Sequence, residues 1–271
     1  MLGPMPIVKW IFLLLLRVAG QAAAPFETAN EYVAIHGVFL NGEGPFRFLV
    51  DTGAESTTLS ARLAERLSLR PSYRVEVDSV NGTQLVPAAI VTRVNAGNAT
   101  AWNVEVLWHV LSLESVDGIL GQSFLSRFRL LLDYEAGRAT FEPEQAPRGG
   151  VRLPLERLAG RPTVRAGLQR LVLDSGTPRL ILFKAPRRHG RERQGFHVAG
   201  VLPGLPPAQG ETGLLESLTL GALTLRGVPF VHVENSGRQE DGLLPLSLFS
   251  WVYLDPHSGI AVFSPRLSGR R

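Results

Sequence analysis

Three blocks of this sequence occur twice, in the same order and at nearly the same separation. The first pair is "FLVDTG" and "LVLDSG", which places Asp51 and Asp174 123 residues apart. The second pair, "VDGILGQSFLSRF" and "EDGLLPLSLFSWV", keeps almost the same offset, and the matching tails "LLLDYEAGRATF" and "VYLDPHSGIAVF" follow. Repetition at a fixed period indicates a duplicated structural unit. The chain is therefore predicted to form two similar lobes related by a pseudo-twofold axis.

A polar segment that contains Pro and Gly separates the two copies. It reads "EPEQAPRGG" and runs from Glu142 to Gly150, a composition typical of a linker. The predicted domains are a signal peptide at residues 1–24, an N-terminal lobe at residues 25–145 and a C-terminal lobe at residues 146–271.

Each lobe consists mainly of strand patterns separated by turn signals, so the predicted fold class is all-β. In the first lobe, "YVAIHGVFL" and "FRFLVD" flank the turn "NGEGP", and in the second lobe "TVRAGL" and "LVLD" form a shorter version of this hairpin. The clearest helix signal is "SARLAERLSLRP". Its leucines recur every four residues, Ser60 provides an N-cap, and Pro71 ends the pattern.

The N-terminal residues have the pattern of an export signal. Lys9 precedes the apolar run "WIFLLLL", and "VAGQAAAP" supplies small residues at a cleavage site. The alternative is an uncleaved membrane anchor, although Arg17 interrupts the run and leaves it short for a transmembrane helix. Lys9 and Lys184 are the only lysines among many arginines, a bias that indicates a GC-rich bacterial genome. We therefore expect a periplasmic or secreted protein.

The composition excludes several classes of chemistry. The chain has no Cys, which rules out disulfides, thiol catalysis and Cys-ligated metal, and its six His show no ligand spacing. The net charge of +4 is too small to favour nucleic-acid binding, and the basic run "RRHGRER" is typical of a solvated loop. We therefore expect no metal, no cofactor and no nucleic-acid partner.

The repeated aspartates emerge from apolar strands, where an unpaired carboxylate is costly to desolvate. Two carboxyl groups brought face to face cannot both ionise and share one proton, a coupling for which the aspartic-protease dyad is the standard example. Such a pair activates water for attack on a carbonyl without a covalent intermediate. The Gly that follows at position 53 or 176 allows a sharp turn, and the intervening hydroxyl of Thr52 or Ser175 can bond across the axis.

These motifs resemble the Asp-Thr/Ser-Gly signature of the aspartic peptidases, and "GILG" at residues 118–121 resembles their later hydrophobic-hydrophobic-Gly motif. The lobe size is similar to that of the retropepsin-like bacterial aspartyl proteases, here with two units fused. The resemblance implies closed β-barrel lobes and an endopeptidase that acts on a peptide or protein substrate.

The resemblance also implies a role for individual residues. Asp51 and Asp174 would be the catalytic dyad, supported by Thr52, Gly53, Ser175 and Gly176. Thr177 could bond an outer carboxylate oxygen, whereas Ala54 cannot. The hairpin around Val80, Asn81 and Gly82 falls where the family has its substrate-covering flap.

Two departures from the family pattern lie in the second copy. Pro245 stands where the first copy has Gly121, and "TPRLILFKAPRR" after the second Asp lacks a helix pattern. Either change could move Asp174 out of register. Three readings therefore stay open: a monomeric pseudo-dimer that uses both aspartates, a homodimer that uses Asp51 from two chains, and a non-catalytic peptide or cell-wall binding module.

Overall fold

The protein is described from a computed structural model over residues 24–29, 32–79, 82–111, 115–184, 195–198, 208–235 and 237–266. The predicted signal peptide lies outside these residues except for its last residue, Ala24. The flap residues Val80 and Asn81 and the basic run "RRHGRER" also lie outside them. No helix in the described part of the chain is long and apolar enough to cross a membrane.

The first lobe contains ten strands and two short helices, which alternate with tight turns. They are β1 (Ala24–Ala29), β2 (Tyr32–Leu40), β3 (Glu43–Val50), β4 (Thr57–Ser60), α1 (Ala61–Arg66), β5 (Tyr73–Ser79), β6 (Gly82–Ala96), β7 (Ala99–His109), β8 (Gly118–Leu120), α2 (Gln122–Leu125), β9 (Leu130–Asp133) and β10 (Arg138–Phe141).

The second lobe repeats the pattern of hairpins, with a 3₁₀ turn at Leu246–Leu248 in the place of α2. Its strands are β11 (Val151–Pro154), β12 (Glu156–Leu158), β13 (Arg161–Ala166), β14 (Gln169–Asp174), β15 (Leu180–Leu182), β16 (Gly195–Val198), β17 (Ala208–Leu220), β18 (Leu223–His232), β19 (Gly242–Pro245), β20 (Phe249–Asp255) and β21 (Ile260–Pro265).

The strands around each repeated Asp pair in the same way in both lobes. In the first lobe β3 runs parallel to β8, β4 antiparallel to β8, and β4 parallel to β7. In the second lobe β14, β19, β15 and β18 repeat these three relations in the same order. The pseudo-twofold duplication predicted from the sequence is therefore present in the strand topology.

The barrel closes in the first lobe. The strands β2, β3, β8, β4, β7 and β6 form a ring, because β6 pairs back onto β2. The second lobe forms an eight-stranded sheet, and among the described residues no pairing closes it into a ring. The predicted all-β class is confirmed, and the predicted closed barrel is found in the first lobe.

A six-stranded sheet joins the two lobes at their base. Its order is β11, β21, β20, β9, β10 and β1, so the central pair β9–β20 brings together one strand from each lobe. The main hydrophobic cluster also contains buried side chains from both copies, among them Phe48, Leu171 and Phe263. The lobes therefore share backbone hydrogen bonds and core contacts.

The short helix begins where the sequence indicates and ends earlier. The Ser60 hydroxyl accepts from the Leu63 N–H at 3.1 Å, as an N-cap does. The helix ends at Arg66 because Ser68 has a positive φ of 51°, which ends the helix well before Pro71.

Candidate active site

The structure brings Asp51 and Asp174 together at the junction of the lobes. Asp51 directly follows β3, and its N–H donates to the Leu120 carbonyl of β8 at 3.0 Å. Asp174 ends β14 and lies in register with Pro245 of β19. The exposed fraction is 9% for Asp51 and 6% for Asp174, and each carboxyl group affects the pKa of the other. A lone carboxylate at the end of an apolar strand would be costly to bury, and here each acid has the other beside it.

Main-chain N–H groups of the two turns point at the carboxylates, but not equally. Asp51 Oδ1 accepts from the N–H of Gly53 at 2.9 Å and of Ala54 at 3.0 Å. Asp174 Oδ1 accepts from the N–H of Gly176 at 2.7 Å. Because N–H donors favour the charged form, the turn stabilises negative charge on Asp51 more than on Asp174.

The glycine of each turn packs against the acid of the opposite lobe. A Cβ added at Gly53 would lie 2.6 Å from Asp174 Oδ2, and one added at Gly176 would lie 2.6 Å from Asp51 Oδ1. Neither position has room for a side chain. Close approach across the axis is therefore the reason that both turns use Gly.

Below the acids, the two hydroxyls form a reciprocal set of buried hydrogen bonds across the axis. Thr52 Oγ1 donates to the Leu173 carbonyl at 2.7 Å and accepts from the Ser175 N–H at 3.0 Å. Ser175 Oγ donates to the Val50 carbonyl at 2.7 Å and accepts from the Thr52 N–H at 3.0 Å. We call these four bonds the hydroxyl clamp; they fix the two turns relative to each other.

Burial raises the pKa of both acids. For Asp51 this rise is partly offset by the neighbouring Asp174 carboxyl and by hydrogen bonds from the turn N–H groups. Desolvation and the nearby charge of Asp51 raise the pKa of Asp174 well above its ordinary value. The pair therefore holds one proton into a higher pH range than an isolated Asp.

The second copy has Pro245 in the place of Gly121, which changes the turn next to the site but leaves Asp174 at the axis. In the first copy Gly121 is required, because a Cβ at this position would collide with the main chain of Ser56, and α2 follows it. In the second copy Pro245 has a φ of −68°, which suits proline, and starts the 3₁₀ turn. The register of β14 with β19 ends at this Pro, so the strand that carries Asp174 keeps its pairing.

Thr177 does not have the carboxylate contact that the resemblance suggested. Its hydroxyl donates to the Arg179 carbonyl at 3.0 Å and accepts from the Arg179 N–H at 3.5 Å. The local main chain competes for the hydroxyl, as is common for Ser and Thr in turns. Of the predicted flap, Gly82 begins β6, and Ser79 of β5 pairs with it as a hairpin requires.

The aspartates in the second motif have a structural role in both lobes. Asp117 accepts from the Arg47 N–H at 2.9 Å, and Asp241 accepts from the Arg170 N–H at 2.8 Å. These equivalent bonds connect each acid-bearing strand to the loop before β8 or β19.

Sequence reasoning missed two features next to the site. Gln122 Nε2 donates to the Thr52 carbonyl at 2.8 Å, and the second copy has Leu246 at this place. A buried ion cluster joins Arg161 to Glu240, 79 positions later in the chain. No motif connects these two residues, so only the tertiary structure reveals the contact. Within the described ranges, no cluster of His, Asp and Glu could hold a metal ion.

Comparison with known proteins finds similarity to aspartic proteases. Residues 37–127 match the family model described as gag-polyprotein putative aspartyl protease. A retropepsin-like aspartic protease from Rickettsia conorii is similar at 20% identity with a TM-score of 0.37, over 45% of this chain and 90% of that chain. No curated protein matches. The segment that matches the family model contains Asp51, Thr52, Gly53 and the "GILG" motif.

Proposed function

We propose that this protein is a single-chain aspartic endopeptidase whose catalytic dyad consists of Asp51 and Asp174. The observation that carries the proposal is the pair of buried carboxyl groups at the lobe junction, each packed against the glycine of the opposite turn. Pairs of titratable groups with perturbed pKa values in one site are typical of acid–base catalysis.

The unequal environments of the two acids assign their roles. Asp51, with two N–H donors, is the charged base that takes a proton from the attacking water, and protonated Asp174 donates to the carbonyl oxygen of the peptide bond. The resulting gem-diol collapses when its hydroxyl returns a proton to Asp174 and Asp51 gives its proton to the leaving nitrogen. The C–N bond breaks, and the dyad regains its starting protonation state.

The contacts between the lobes favour the monomeric arrangement over a homodimer that uses two copies of Asp51. The hydroxyl clamp is complete within one chain, and β20 occupies the edge of β9 that a second chain would need. A peptide substrate in this site would be extended and would pair with strand edges along the cleft. Export through residues 1–24 belongs to the same proposal and rests on the sequence alone.

The test compares three Asp→Asn variants in the cleavage of denatured casein. Asp51→Asn and Asp174→Asn should each lower kcat/KM by about a hundredfold to ten-thousandfold, the usual contribution of general acid–base catalysis. Asp133→Asn is the matched control, because Asp133 accepts turn N–H groups at 3.1 and 2.8 Å and an Asn oxygen can replace it.

Each alternative gives a different result. Loss of activity with Asp51→Asn alone, together with activity that falls on dilution, would favour the homodimer. Binding of peptides with no turnover that depends on either acid would favour the non-catalytic binding module and end the protease proposal.

A further inference from the structure

A buried cluster of two arginines and one glutamate lies in the second lobe beside the dyad. Arg161 binds Glu240 through both terminal nitrogens, at 3.0 and 3.1 Å, and Arg238 Nη1 binds the same carboxylate at 3.1 Å. The exposed side-chain fraction is 9% for Arg161, 8% for Arg238 and 1% for Glu240. We call these three residues the arginine cluster; its buried side chains carry one net positive charge.

Two acidic residues of the first lobe approach the cluster from its solvent side without hydrogen bonding to it. Glu55 Oε1 lies 3.4 Å from Arg161 Nε, and Asp78 Oδ2 lies 3.5 Å from Arg238 Nη2. Their side chains are 59% and 63% exposed. Ion pairs of such exposed carboxylates are weak, so the excess positive charge is only partly compensated.

One edge of the Arg238 guanidinium group makes no hydrogen bond to the described part of the chain. Its Nε and Nη2 are buried and have no hydrogen-bond partner among the residues that the structure describes. These two nitrogens lie along the same edge of the planar group, in the arrangement that binds a carboxylate through two parallel hydrogen bonds. The Phe183 ring, 5.2 Å from Arg238 Cζ, supports one face of the group and so holds the orientation of this edge.

The cluster contacts both the loop of the dyad and the hairpin next to the predicted flap. Glu55 belongs to the loop that carries Asp51, and Asp78 is close to the end of β5. The charge of Arg161 partly offsets the rise that burial causes in the pKa of Asp51 and of Asp174, as expected for a cation near both. The cluster therefore lies close to the dyad and to the hairpin formed by β5 and β6.

We propose that Arg238 is a specificity-determining residue that binds a carboxylate of the substrate in the place now taken by Asp78. The proposal rests on the proposed protease function and names its substrate class: peptides with an acidic group near the cleaved bond. An acid that fills the open edge satisfies two buried N–H donors and neutralises the cluster, and Asp78 at its present distance does neither. The group could be an internal Asp or Glu side chain or a C-terminal carboxylate, which offer the same chemistry.

The test uses matched peptide pairs that differ only by Glu or Gln at successive positions around the cleaved bond, with amidated C-termini. A second set has neutral side chains and either a free or an amidated C-terminus, which distinguishes the two sources of the carboxylate. We expect kcat/KM to be about tenfold to a hundredfold higher for the acidic member at one position, the usual gain from charge-assisted hydrogen bonds. Equal values within every pair of both sets would overturn the proposal.

The variants identify the residue responsible. Arg238→Gln should reduce the acidic-to-neutral ratio to about one, and Arg238→Lys should retain only part of it, because Lys keeps the charge and loses the two-pronged edge. Arg165→Gln is the control: Arg165 makes an exposed ion pair with Glu156 at 2.8 Å in the same lobe, and its loss should leave the ratio unchanged. A ratio that survives in Arg238→Gln contradicts the proposal.

A third variant keeps the test decisive if Arg238→Gln does not fold. Asp78→Asn changes a mostly exposed side chain and removes the competing carboxylate, so it should increase the acidic-to-neutral ratio; an unchanged ratio contradicts the proposal. Failure of the proposed function is recognised separately, because no peptide would then be cleaved. In that event, the affinity of the same labelled peptides is measured by fluorescence anisotropy. Equal affinity for the acidic and neutral members would overturn the role of Arg238.

Discussion

Removal of one hydroxyl from the clamp should destabilise the whole chain, because it leaves buried main-chain groups of the other lobe unpaired. Thr52→Val keeps the size and branching of the side chain and removes only the hydroxyl. The Leu173 carbonyl and the Ser175 N–H then lose their partners in a buried region. Each unpaired buried group costs about 1–3 kcal/mol, so the expected loss is about 2–6 kcal/mol.

This loss is large relative to the stability of a typical protein, which is about 5–15 kcal/mol. The measurement is the free energy of unfolding from urea denaturation, followed by fluorescence and by circular dichroism to test whether both lobes unfold together. Ser175→Ala should give a loss of the same order, because the pattern of bonds is reciprocal.

The matched control is Thr52→Ser, which keeps the hydroxyl and removes one methyl group. It should cost only about 0.8 kcal/mol, the value for one buried methylene-sized group. If Thr52→Val and Thr52→Ser lower the free energy of unfolding equally, the hydrogen bonds across the axis contribute nothing, and the reasoning is wrong.

Two further predictions concern the same axis. Gly53→Ala and Gly176→Ala should abolish casein cleavage, because the added Cβ meets the opposite carboxyl group. Gly237→Ala is the control and should be tolerated, because the nearest atom to its added Cβ lies 3.6 Å away. Equal activity of all three variants would contradict the packing argument. Burial raises the pKa of Asp174 above 3.8, so the folded chain holds a proton that the unfolded chain releases. The free energy of unfolding should therefore fall as the pH rises from 3.8 to the raised pKa. Asp174→Asn should flatten this slope in denaturation at several pH values and increase stability at neutral pH; an unchanged slope would contradict the assignment.

Features that depend on short motifs could be predicted from the sequence. The turns that place Gly after each repeated Asp and the Ser60 cap involve residues a few positions apart, where turn geometry and capping follow from residue type. The duplication is visible because the same short motifs recur at one separation. The pairing of Asp51 with Asp174 could also be predicted, because an isolated acid at the end of an apolar strand needs a partner and the repeat supplies one.

The differences between the two copies depend on contacts that form only in the folded protein. The Thr177 hydroxyl bonds the main chain two residues on, because a local partner competes with the carboxylate, and this choice depends on the conformation of the turn. The extra N–H donor to Asp51 makes the two acids unequal although their motifs are nearly identical. Arg161 and Glu240 meet only after the second lobe has folded, because a contact between residues so far apart in the chain leaves no periodic pattern in the sequence.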